Sequence, residues 1–271
     1  MASRSPERLD KILVSRGFAS SRGEAAEMIK RGQVRVMGIA RDKPSSMFDP
    51  ESSVEIDGGE KRWVSRGAYK LLKALDEWGI DPSGLDCVDI GASTGGFTQV
   101  LLERGASRVA AVDVGYGQLA WELRNDPRVK VMDRVNARYI TPDDIGWTSS
   151  LAAVDASFIS LRVLLPGIKE LVRDGGIIIA LVKPQFEVGR GRVGKGVIRD
   201  KRLHFEVLES LAGFIRGDTG LILRGAAYSP VKGAEGNIEF IFQLSRESNS
   251  EQMPDSADFA ALVDEAHSHL R

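Results

Sequence analysis

The fold is decided by the stretch Asp89-Ile90-Gly91-Ala92-Ser93-Thr94-Gly95-Gly96-Phe97-Thr98, in which an apolar segment runs into closely spaced glycines. The apolar segment predicts a buried strand, and the glycines allow the backbone after it to approach a ligand closely. A helix that begins near Gly96 would offer its unpaired N–H groups to a carboxylate. Three residues separate Gly91 from Gly95, which is not the Gly-x-Gly-x-x-Gly spacing of dinucleotide sites. We therefore expect S-adenosylmethionine rather than a nicotinamide cofactor.

An acidic residue follows at the separation that such folds use. Asp113 ends the next apolar segment, 22 residues after Gly91, and doubly wound folds place an acid at about this distance on the ribose hydroxyls of the ligand. The alternative is that Asp113 caps the next helix. The predicted cofactor-binding residues are Asp89, Gly91, Ala92, Ser93, Gly95, Gly96, Phe97, Thr98 and Asp113.

Strands and helices alternate around this turn, which argues for a parallel sheet with crossover helices. A helix is expected at residues 69–78. The expected parallel strands lie at residues 87–90, 109–112, 129–132, 152–154 and 177–182. The last two strand candidates, 221–223 and 238–242, follow each other without a predicted helix, so we expect an antiparallel pair on the sheet edge. The predicted fold class is α/β, with a seven-stranded Rossmann-like sheet of the methyltransferase type.

The two ends of the chain differ in charge. Residues 1–43 hold ten Lys and Arg against five Asp and Glu, whereas residues 246–271 hold two against six. A basic first segment is expected of a domain that contacts nucleic-acid phosphates, although a solvated surface has the same composition. Charge alone therefore leaves both interpretations open.

Two helices and short strands are expected in the first sixty residues. Leu9, Ile12 and Leu13 recur at helical spacing, and Ser21 with Glu24 has the arrangement of a capping box at the start of a second helix. The segments 34–36 and 54–56 alternate as strands do. Together they predict a small α+β domain.

This segment resembles a known RNA-binding module, the S-four domain. The resemblance is carried by Arg8-Leu9-Asp10, Ser21-Arg22, Ala25, Ile29, Gly32, Val34 and Val36. That family usually has Asn-Gly after the strand where this chain has Met37-Gly38, which allows a different turn there. Lys and Arg side chains bind the RNA backbone without reading bases. The candidate phosphate contacts, for each of which simple solvation is the alternative, are Arg8, Arg16, Arg22, Lys30, Arg31 and Arg35.

Two features limit which atom can receive a methyl group. Methylation at carbon five of a pyrimidine needs a cysteine nucleophile, and Cys87, the sole cysteine, stands inside an apolar strand. Methylation of an exocyclic amine usually comes with an Asn/Asp-Pro-Pro-aromatic element after the fourth strand, where this chain has Asp155-Ala156-Ser157-Phe158. Both reactions are therefore disfavoured.

Four charged residues are expected near the rim of the sheet, namely Lys70, Asp155, Lys183 and Glu239. In this order they resemble the Lys-Asp-Lys-Glu tetrad of the FtsJ-type ribose 2′-O-methyltransferases. With Ser65-Arg66-Gly67-Ala68-Tyr69-Lys70-Leu71 and Lys183-Pro184-Gln185-Phe186-Glu187, the chain is identified as a member of the TlyA family, which joins an S-four domain to an FtsJ-like domain. The resemblance extends from Arg8 to Phe242. It implies that the substrate is ribosomal RNA in ribosomal subunits and that the product is a 2′-O-methylcytidine.

The chemistry of a ribose hydroxyl accounts for these residue types. The hydroxyl is a poor nucleophile near neutral pH, so an enzyme must align it and assist the loss of its proton. Lys183 is the candidate base, because Lys70 would supply a neighbouring positive charge that favours a neutral amine. Asp155 and Glu239 would orient the ammonium groups. The alternatives are surface ion pairs and, for Glu239 midway along an apolar strand, an outward-facing side chain.

A second basic segment, residues 189–202, follows Lys183 and mixes cations with glycines. It predicts a basic loop that could close over the RNA backbone, with a solvated surface loop as the alternative. The RNA-binding candidates outside the first sixty residues are Arg66, Arg190, Arg192 and Lys195.

Other classes of protein fit the sequence less well. A pseudouridine synthase would use a catalytic Asp beside Arg and Leu, as in Arg8-Leu9-Asp10, but these residues fall in the first helix and leave the glycine loop unexplained. A haemolysin-like membrane-active protein is a second rival, although neither a transmembrane nor a strongly amphipathic basic helix is expected. A binding module that has lost activity is a third. One cysteine and three histidines without ligand spacing predict neither a disulfide nor a metal site.

The expected domains are an S-four-like RNA-binding domain at 1–60, a linker at 61–64, an FtsJ-like methyltransferase domain at 65–246 and an acidic C-terminal tail or helix at 247–271. No signal peptide or membrane span is predicted, which favours a cytoplasmic protein.

Overall fold

The structure is a computed structural model, and it describes residues 6–19, 21–56, 63–189, 196–233, 236–247 and 259–270. Contacts between residues divide the chain into two compact units, Met1–Arg62 and Trp63–Arg271. The predicted site residues Arg190, Arg192 and Lys195 lie outside the described residues.

The first unit is a small α+β structure. Its elements are β1 (Glu7–Arg8), α1 (Leu9–Ser15), α2 (Arg22–Lys30), β2 (Val34–Val36), β3 (Ile39–Ala40), β4 (Met47–Phe48) and β5 (Val54–Ile56). Strands β1 and β4 pair antiparallel, and β2 pairs antiparallel with both β3 and β5. Leu9, Leu13 and Ile29 from the two helices are fully buried against Val34 and Val36 of β2. The predicted helix–turn–helix start and both predicted strands are confirmed.

The turn after β2 keeps the geometry that Asn-Gly would give. Met37 has a φ of +54° and Gly38 a φ of +76°, so both central residues lie in the left-handed region, as a type I′ hairpin turn requires. The Met37 side chain is 70% exposed. The pairing of β2 with β3 determines this turn. Val36 lies opposite Ile39, so only Met37 and Gly38 remain to close the hairpin.

In the second unit strands and helices first alternate along the chain. Two consecutive helices, a π-helical turn, two antiparallel strands and a last helix then follow. Its elements are α3 (Ala68–Glu77), β6 (Asp86–Ile90), α4 (Gly96–Glu103), β7 (Arg108–Asp113), α5 (Trp121–Arg124), β8 (Val129–Asp133), α6 (Pro142–Ile145), β9 (Ser149–Val154), α7 (Leu161–Leu171), β10 (Val172–Val182), α8 (Pro184–Glu187), α9 (Lys201–Phe214), a π-helical turn (Ile215–Thr219), β11 (Ile222–Tyr228), β12 (Phe240–Ser245) and α10 (Phe259–His269).

Seven of the described strands form one sheet in the order β11-β12-β10-β9-β6-β7-β8. Strands β6 to β10 are parallel, while β12 lies antiparallel between β10 and the edge strand β11. The predicted fold class is confirmed. The prediction for Glu239 was wrong in one respect, because the residue immediately precedes β12 and does not lie midway along it. Its side chain is therefore free of the alternation that a strand imposes.

Side-chain alternation along β10 builds a core on each face of the sheet. Ile178, Ala180 and Val182 pack with residues of α7, α9 and α10, whereas Ile179 and Leu181 pack with residues of α3 and α4. All five are at most 2% exposed. Burial on both faces is typical of a central strand in a doubly wound sheet and explains why this segment is apolar throughout.

A pair of histidines joins α9 to α10. His204 is fully buried, and its Nδ1 lies 2.9 Å from Nε2 of His267. Its ring also meets Phe240 edge-on, with centroids 5.6 Å apart. Burial lowers the pKa of His204 to about 4, helped by His267 and opposed by Asp200. The fold therefore requires a neutral His204.

This requirement predicts a loss of stability in weak acid. Below the usual histidine pKa of 6.5 the unfolded chain binds a proton that the folded chain excludes until about pH 4, so stability falls as the pH falls through that window. We expect the free energy of unfolding in urea to drop by about 2 kcal/mol between pH 7 and pH 5 from this residue. The variant His204→Gln should show a correspondingly smaller drop. An equal drop in both proteins would show that His204 is not responsible.

Candidate active site

Two cavities meet at the carboxyl ends of the parallel strands in the second unit. The smaller, of about 270 Å³, lies between the glycine loop, the start of α3 and residues 231–233. The larger, of about 420 Å³, lies beyond the ends of β7 and β9. Both are lined by Gly91, Ser93 and Asp155, so these three residues mark the place where the contents of the two cavities would touch.

The glycine loop connects β6 to α4 through left-handed backbone. Gly91 and Gly95 have φ values of +83° and +98°, and Ser93 has +48°. A Cβ on Gly91 would lie 2.8 Å from the carbonyl oxygen of Asp155, so glycine allows the loop to touch the neighbouring strand end. Of the residues predicted to bind a cofactor, those that line a cavity are Gly91, Ala92, Ser93, Gly96, Phe97 and Asp113, and Thr94 joins them.

Three predicted contacts lie behind the loop. Asp89 and Thr98 are fully buried, and Asp89 Oδ2 accepts hydrogen bonds from the Thr98 backbone N–H at 2.9 Å and from its hydroxyl at 2.7 Å. Gly95 packs against the Leu119 and Leu123 side chains. Burial raises the pKa of Asp89 to about 7, although the bonds from Thr98 oppose this. None of the three lines either cavity.

Asp113 ties the glycine loop to the loop after β7. Its Oδ2 accepts the Ser93 N–H at 2.8 Å and its Oδ1 accepts the Gly115 N–H at 2.6 Å. The residue lines the larger cavity, beside apolar neighbours such as Val112 and Leu164. A carboxylate oxygen has more than one acceptor site, so Asp113 retains acceptor capacity for hydroxyl groups of a ligand.

The four charged residues predicted for the rim form one cluster. Lys70 Nζ donates to Glu239 Oε2 at 2.7 Å and to Asp155 Oδ2 at 3.4 Å. Lys183 Nζ lies 2.6 Å from Asp155 Oδ1. Glu239 is 2% exposed, and the two lysines are 7% and 6% exposed. Asp155 thus bridges two buried ammonium groups, and the two positive charges balance the two negative ones.

The two lysines have different surroundings. Burial lowers the pKa of Lys70, but Asp155 and Glu239 raise it by more, so this pKa lies above its usual value and Lys70 remains a cation. Lys183 faces one carboxylate, and its Nζ also donates to the neutral hydroxyl of Ser157 at 2.7 Å. Less negative charge therefore surrounds Lys183 than Lys70. The sequence analysis did not predict this difference, because it gave no role to Ser157.

Aromatic side chains at the cavity mouth were also missed. Phe158 lines the larger cavity with a side chain that is 90% exposed and a φ of +65°, which is unusual for a bulky residue. Its ring lies 5.2 Å from that of Phe186. In the loops that follow β7 and β8, the guanidinium carbon of Arg134 lies 4.3 Å from the ring centroid of the exposed Tyr116. The available signal was position, since Phe158 closely follows Asp155 at a strand end.

Glu187 joins two parts of the chain near the site. It belongs to α8, directly after Lys183, and bonds to the start of α7, shortly after Ser157 and Phe158. Its carboxylate accepts the Leu161 N–H at 2.7 Å and the Ser160 hydroxyl at 2.6 Å. Burial raises the pKa of Glu187, against the effect of these two hydrogen bonds. The carboxylate therefore also satisfies the amino-terminal end of α7.

The basic residues predicted to contact RNA differ in their partners. Arg8 and Arg22 both donate to the buried Asp10, whose pKa these bonds lower to about 2. Arg16 donates to the Ser52 carbonyl at 2.7 Å. Lys30 and Arg31 lie near Glu27, at 3.6 and 3.8 Å. All five guanidinium or ammonium groups belong to the first unit, as does the exposed Arg35, whereas Arg66 lines the smaller cavity of the second.

Comparison with known proteins identifies the family. A family model for FtsJ-like methyltransferases matches residues 63–246, and a model for the S4 domain matches residues 7–54. The chain is 46% identical to the 16S/23S rRNA (cytidine-2′-O)-methyltransferase TlyA of Mycobacterium tuberculosis, over 89% of this chain and 91% of that protein. The chain belongs to the TlyA family. Hemolysin A of Brachyspira hyodysenteriae is another relative, 39% identical over 86% of this chain and 98% of that protein.

A solved structure of a hemolysin-named protein from Streptococcus thermophilus agrees with this TlyA-family assignment. It is 39% identical, covers 99% of this chain and 98% of its own, and superposes with a TM-score of 0.76. In the described part of this TlyA-family chain, none of the helices has both the length and the apolar character to cross a membrane. The same residues contain no cluster of three His, Cys, Asp or Glu side chains that could hold a metal ion.

The close approach of Gly91 to Asp155 can be tested by substitution. Gly91→Ala would add a Cβ 2.8 Å from the Asp155 carbonyl oxygen, at a φ of +83°. We expect it to lower the free energy of unfolding in urea by about 3 kcal/mol, about 1 from the left-handed backbone and the rest from steric overlap.

Gly84→Ala is the matched control, because Gly84 has a φ of +70° but no atom within 4 Å of the added Cβ. This variant should lose only the cost of about 1 kcal/mol for the left-handed backbone. Equal losses in the two variants would mean that the contact with Asp155 is not tight.

Proposed function

We propose that this chain transfers a methyl group from S-adenosylmethionine to a ribose 2′-hydroxyl of ribosomal RNA, and that the nucleotide is a cytidine. The observation that carries the proposal is the cluster of Lys70, Asp155, Lys183 and Glu239, in which Asp155 lines both cavities and Lys70 lines the smaller one. The relative from Mycobacterium tuberculosis is named for this reaction.

The larger cavity suits the adenosine part of S-adenosylmethionine. Apolar side chains line it for a base, and Asp113 at its rim can accept hydrogen bonds from ribose hydroxyls. When bound, the cofactor supplies an activated methyl group. Gly91 would allow that group to pass between the cavities.

The smaller cavity is where the ribose of the RNA would bind. The target hydroxyl must lie in line with the methyl group and within hydrogen-bond reach of a base. We assign proton acceptance to Lys183, which has less negative charge around it than Lys70. Lys70 keeps its proton and holds Asp155 and Glu239 in place. Asp155 in turn orients both amines.

Two observations disfavour other methyl acceptors and other reactions. Burial raises the pKa of Cys87 to about 12, so the thiol that pyrimidine carbon-five methylation would need is inert. Asp10, which a pseudouridine synthase would need as its catalytic residue, is 3% exposed and bonded to Arg8 and Arg22. The name hemolysin is shared by relatives, but the buried polar cluster and the paired cavities favour an enzyme.

RNA would contact both units. We propose that the S4 unit holds RNA through exposed guanidinium groups such as those of Arg8 and Arg22, which Asp10 presents side by side. In the methyltransferase unit, the exposed Phe158 and the Arg134–Tyr116 pair offer stacking surfaces for unstacked bases. Residues 61–64 would link the two, and the work would be done in the cytoplasm, where ribosomal subunits are found.

The direct test uses the purified full chain, isolated ribosomal subunits and S-adenosylmethionine with a labelled methyl group. The proposal predicts label in the RNA of at least one subunit, at about one methyl group per particle. Absence of label from the RNA of both subunits, with cofactor binding intact, would contradict it.

Asp113 is expected to bind the cofactor ribose. Asp113→Ala should weaken binding of S-adenosylmethionine by about tenfold or more in calorimetry, because hydrogen bonds to a carboxylate are lost. Asp133→Ala is the control. Asp133 ends the neighbouring strand, in register with Asp113, but does not line the cavity, so its loss should leave the affinity nearly unchanged. Similar effects of the two substitutions would refute the assignment.

Lys183 is expected to serve the chemical step. Removal of a general base commonly costs about 10²–10⁴ in rate, so Lys183→Ala should lower the single-turnover rate by this factor with little change in cofactor affinity. Lys183→Arg should be nearly as inactive, because arginine keeps the charge but cannot accept a proton near neutral pH.

Lys169→Arg is the matched control for this pair, since Lys169 Nζ donates to the Thr219 carbonyl oxygen away from the cavities. It should react at the normal rate. If Lys183→Arg also kept most of its activity, Lys183 would be an electrostatic anchor and not the base.

A further inference from the structure

Hydrogen bonds anchor the described residues between β11 and β12, 229–233 and 236–239, beside the active site. Ser229 is fully buried, and its N–H donates to the Glu239 carbonyl oxygen at 2.8 Å. Farther along, the buried Asn237 side chain accepts the Ile198 N–H at 3.0 Å and donates to the Gly196 carbonyl at 2.9 Å. The Gly233 N–H donates to the Asn237 carbonyl at 2.9 Å. Both ends of the loop are therefore fixed.

This anchoring brings Lys232 to the wall of the smaller cavity. Its neighbour Gly233 lies so close to the Glu239 carboxylate that a Cβ there would overlap Oε1. Lys232 lines the cavity together with Lys70 and Asp155 and is half-buried. The sequence offered no reason to single out this lysine, because it lies on a loop outside the predicted strands.

Among the described residues, no carboxylate forms an ion pair with Lys232. Within the cluster, Lys70 and Lys183 are balanced by Asp155 and Glu239. Among the residues that the structure describes, Lys232 has no ion-pair or hydrogen-bond partner. A half-buried lysine on the wall beside a balanced cluster gives the cavity an excess of positive charge, which favours an anion.

RNA brings such an anion to this position. The 3′-phosphodiester is bonded to the ribose carbon next to the one that carries the 2′-hydroxyl. A target ribose that binds in the smaller cavity beside Lys70 and Asp155 therefore brings this phosphate group to the wall that Lys232 lines. We infer that Lys232 binds a backbone phosphate adjacent to the target ribose. The inference rests on the proposed function and adds a substrate-binding residue to it.

Lysine binds phosphate as a point charge and reads no base, so Lys232 should contribute affinity and not sequence selection. The contact of Lys232 with the phosphate is the same in the bound substrate and in the transition state. Its loss should therefore change the concentration of subunits needed for half-saturation more than the rate of methyl transfer. The loss of one phosphate contact should also lower the salt dependence of RNA binding by about 0.7–0.9 in the log–log slope.

The test compares Lys232→Met and Lys232→Arg with the unaltered full chain, on ribosomal subunits at several salt concentrations. Lys232→Met should raise the half-saturating concentration of subunits about tenfold and lower the salt slope by nearly one, while Lys232→Arg restores both. The saturated single-turnover rate and the affinity for S-adenosylmethionine should stay within about twofold.

Arg173→Met is the control for a general loss of charge. Arg173 is exposed near the amino end of β10, where it donates to the Ser150 hydroxyl at 2.9 Å, so the same charge is removed from the opposite edge of the sheet. An unchanged salt slope in Lys232→Met, or an equal change in Arg173→Met, would overturn the inference. A lower saturated single-turnover rate in Lys232→Met, without a change in the half-saturating concentration of subunits, would also overturn it. If the unaltered chain methylates no subunit RNA, the proposed function has failed, and that outcome is distinct from these.

Discussion

The buried carboxylate of Asp155, shared between two lysines, is the interaction on which the site depends. Taking a single ammonium group out of water is costly, and an unpaired one would deprotonate or destabilise the fold. Lys70 and Lys183 remain buried because Asp155 contacts both and Glu239 completes the pairing of Lys70. Two carboxylates lie beside Lys70 and one lies beside Lys183, so the two lysines differ in the negative charge around them.

Sheet topology brings these groups together from distant parts of the chain. The parallel register of Ile90 with Val154 places Gly91 beside Asp155 at the same edge of the sheet. Strand β12 runs the other way, and Val182 lies opposite Phe240, so the residue after β10 meets the residue before β12. These two residues are Lys183 and Glu239. Because β12 is antiparallel to β10, the residue before β12 lies at the same edge of the sheet as the residues that follow the parallel strands. This places the Glu239 carboxylate at that edge.

Residues fixed by the sheet could be predicted from the sequence, whereas residues fixed by loops could not. Gly91, Asp113, Asp155 and Lys183 all follow or end strands, and a parallel sheet gathers such positions whatever the loops do. Ser157, Phe158 and Lys232 depend on the path of the backbone between elements, for which a φ of +65° at Phe158 has no sequence signal. Side-chain direction was a second limit, since Asp89 and Thr98 belong to the predicted motif but bond to each other behind it.

The partners of surface cations were a third limit. Arg8 and Arg22 carry the same charge in the sequence as Arg66, but Asp10 holds the first two together from within the core of the S4 unit. Such a contact orients guanidinium groups and also reduces their net charge. Composition could therefore indicate a nucleic-acid partner for this unit without showing which cations are constrained.

The proposed methyl acceptor is a ribose hydroxyl, and alkaline hydrolysis of the labelled RNA distinguishes it from a base. Alkali cleaves RNA through attack of the 2′-oxygen on the adjacent phosphate, so a 2′-O-methyl group protects one linkage. After methylation by this chain, we expect the label to be recovered in an alkali-resistant dinucleotide. Recovery of the label in mononucleotides would place the methyl group on a base and would contradict 2′-O-methylation.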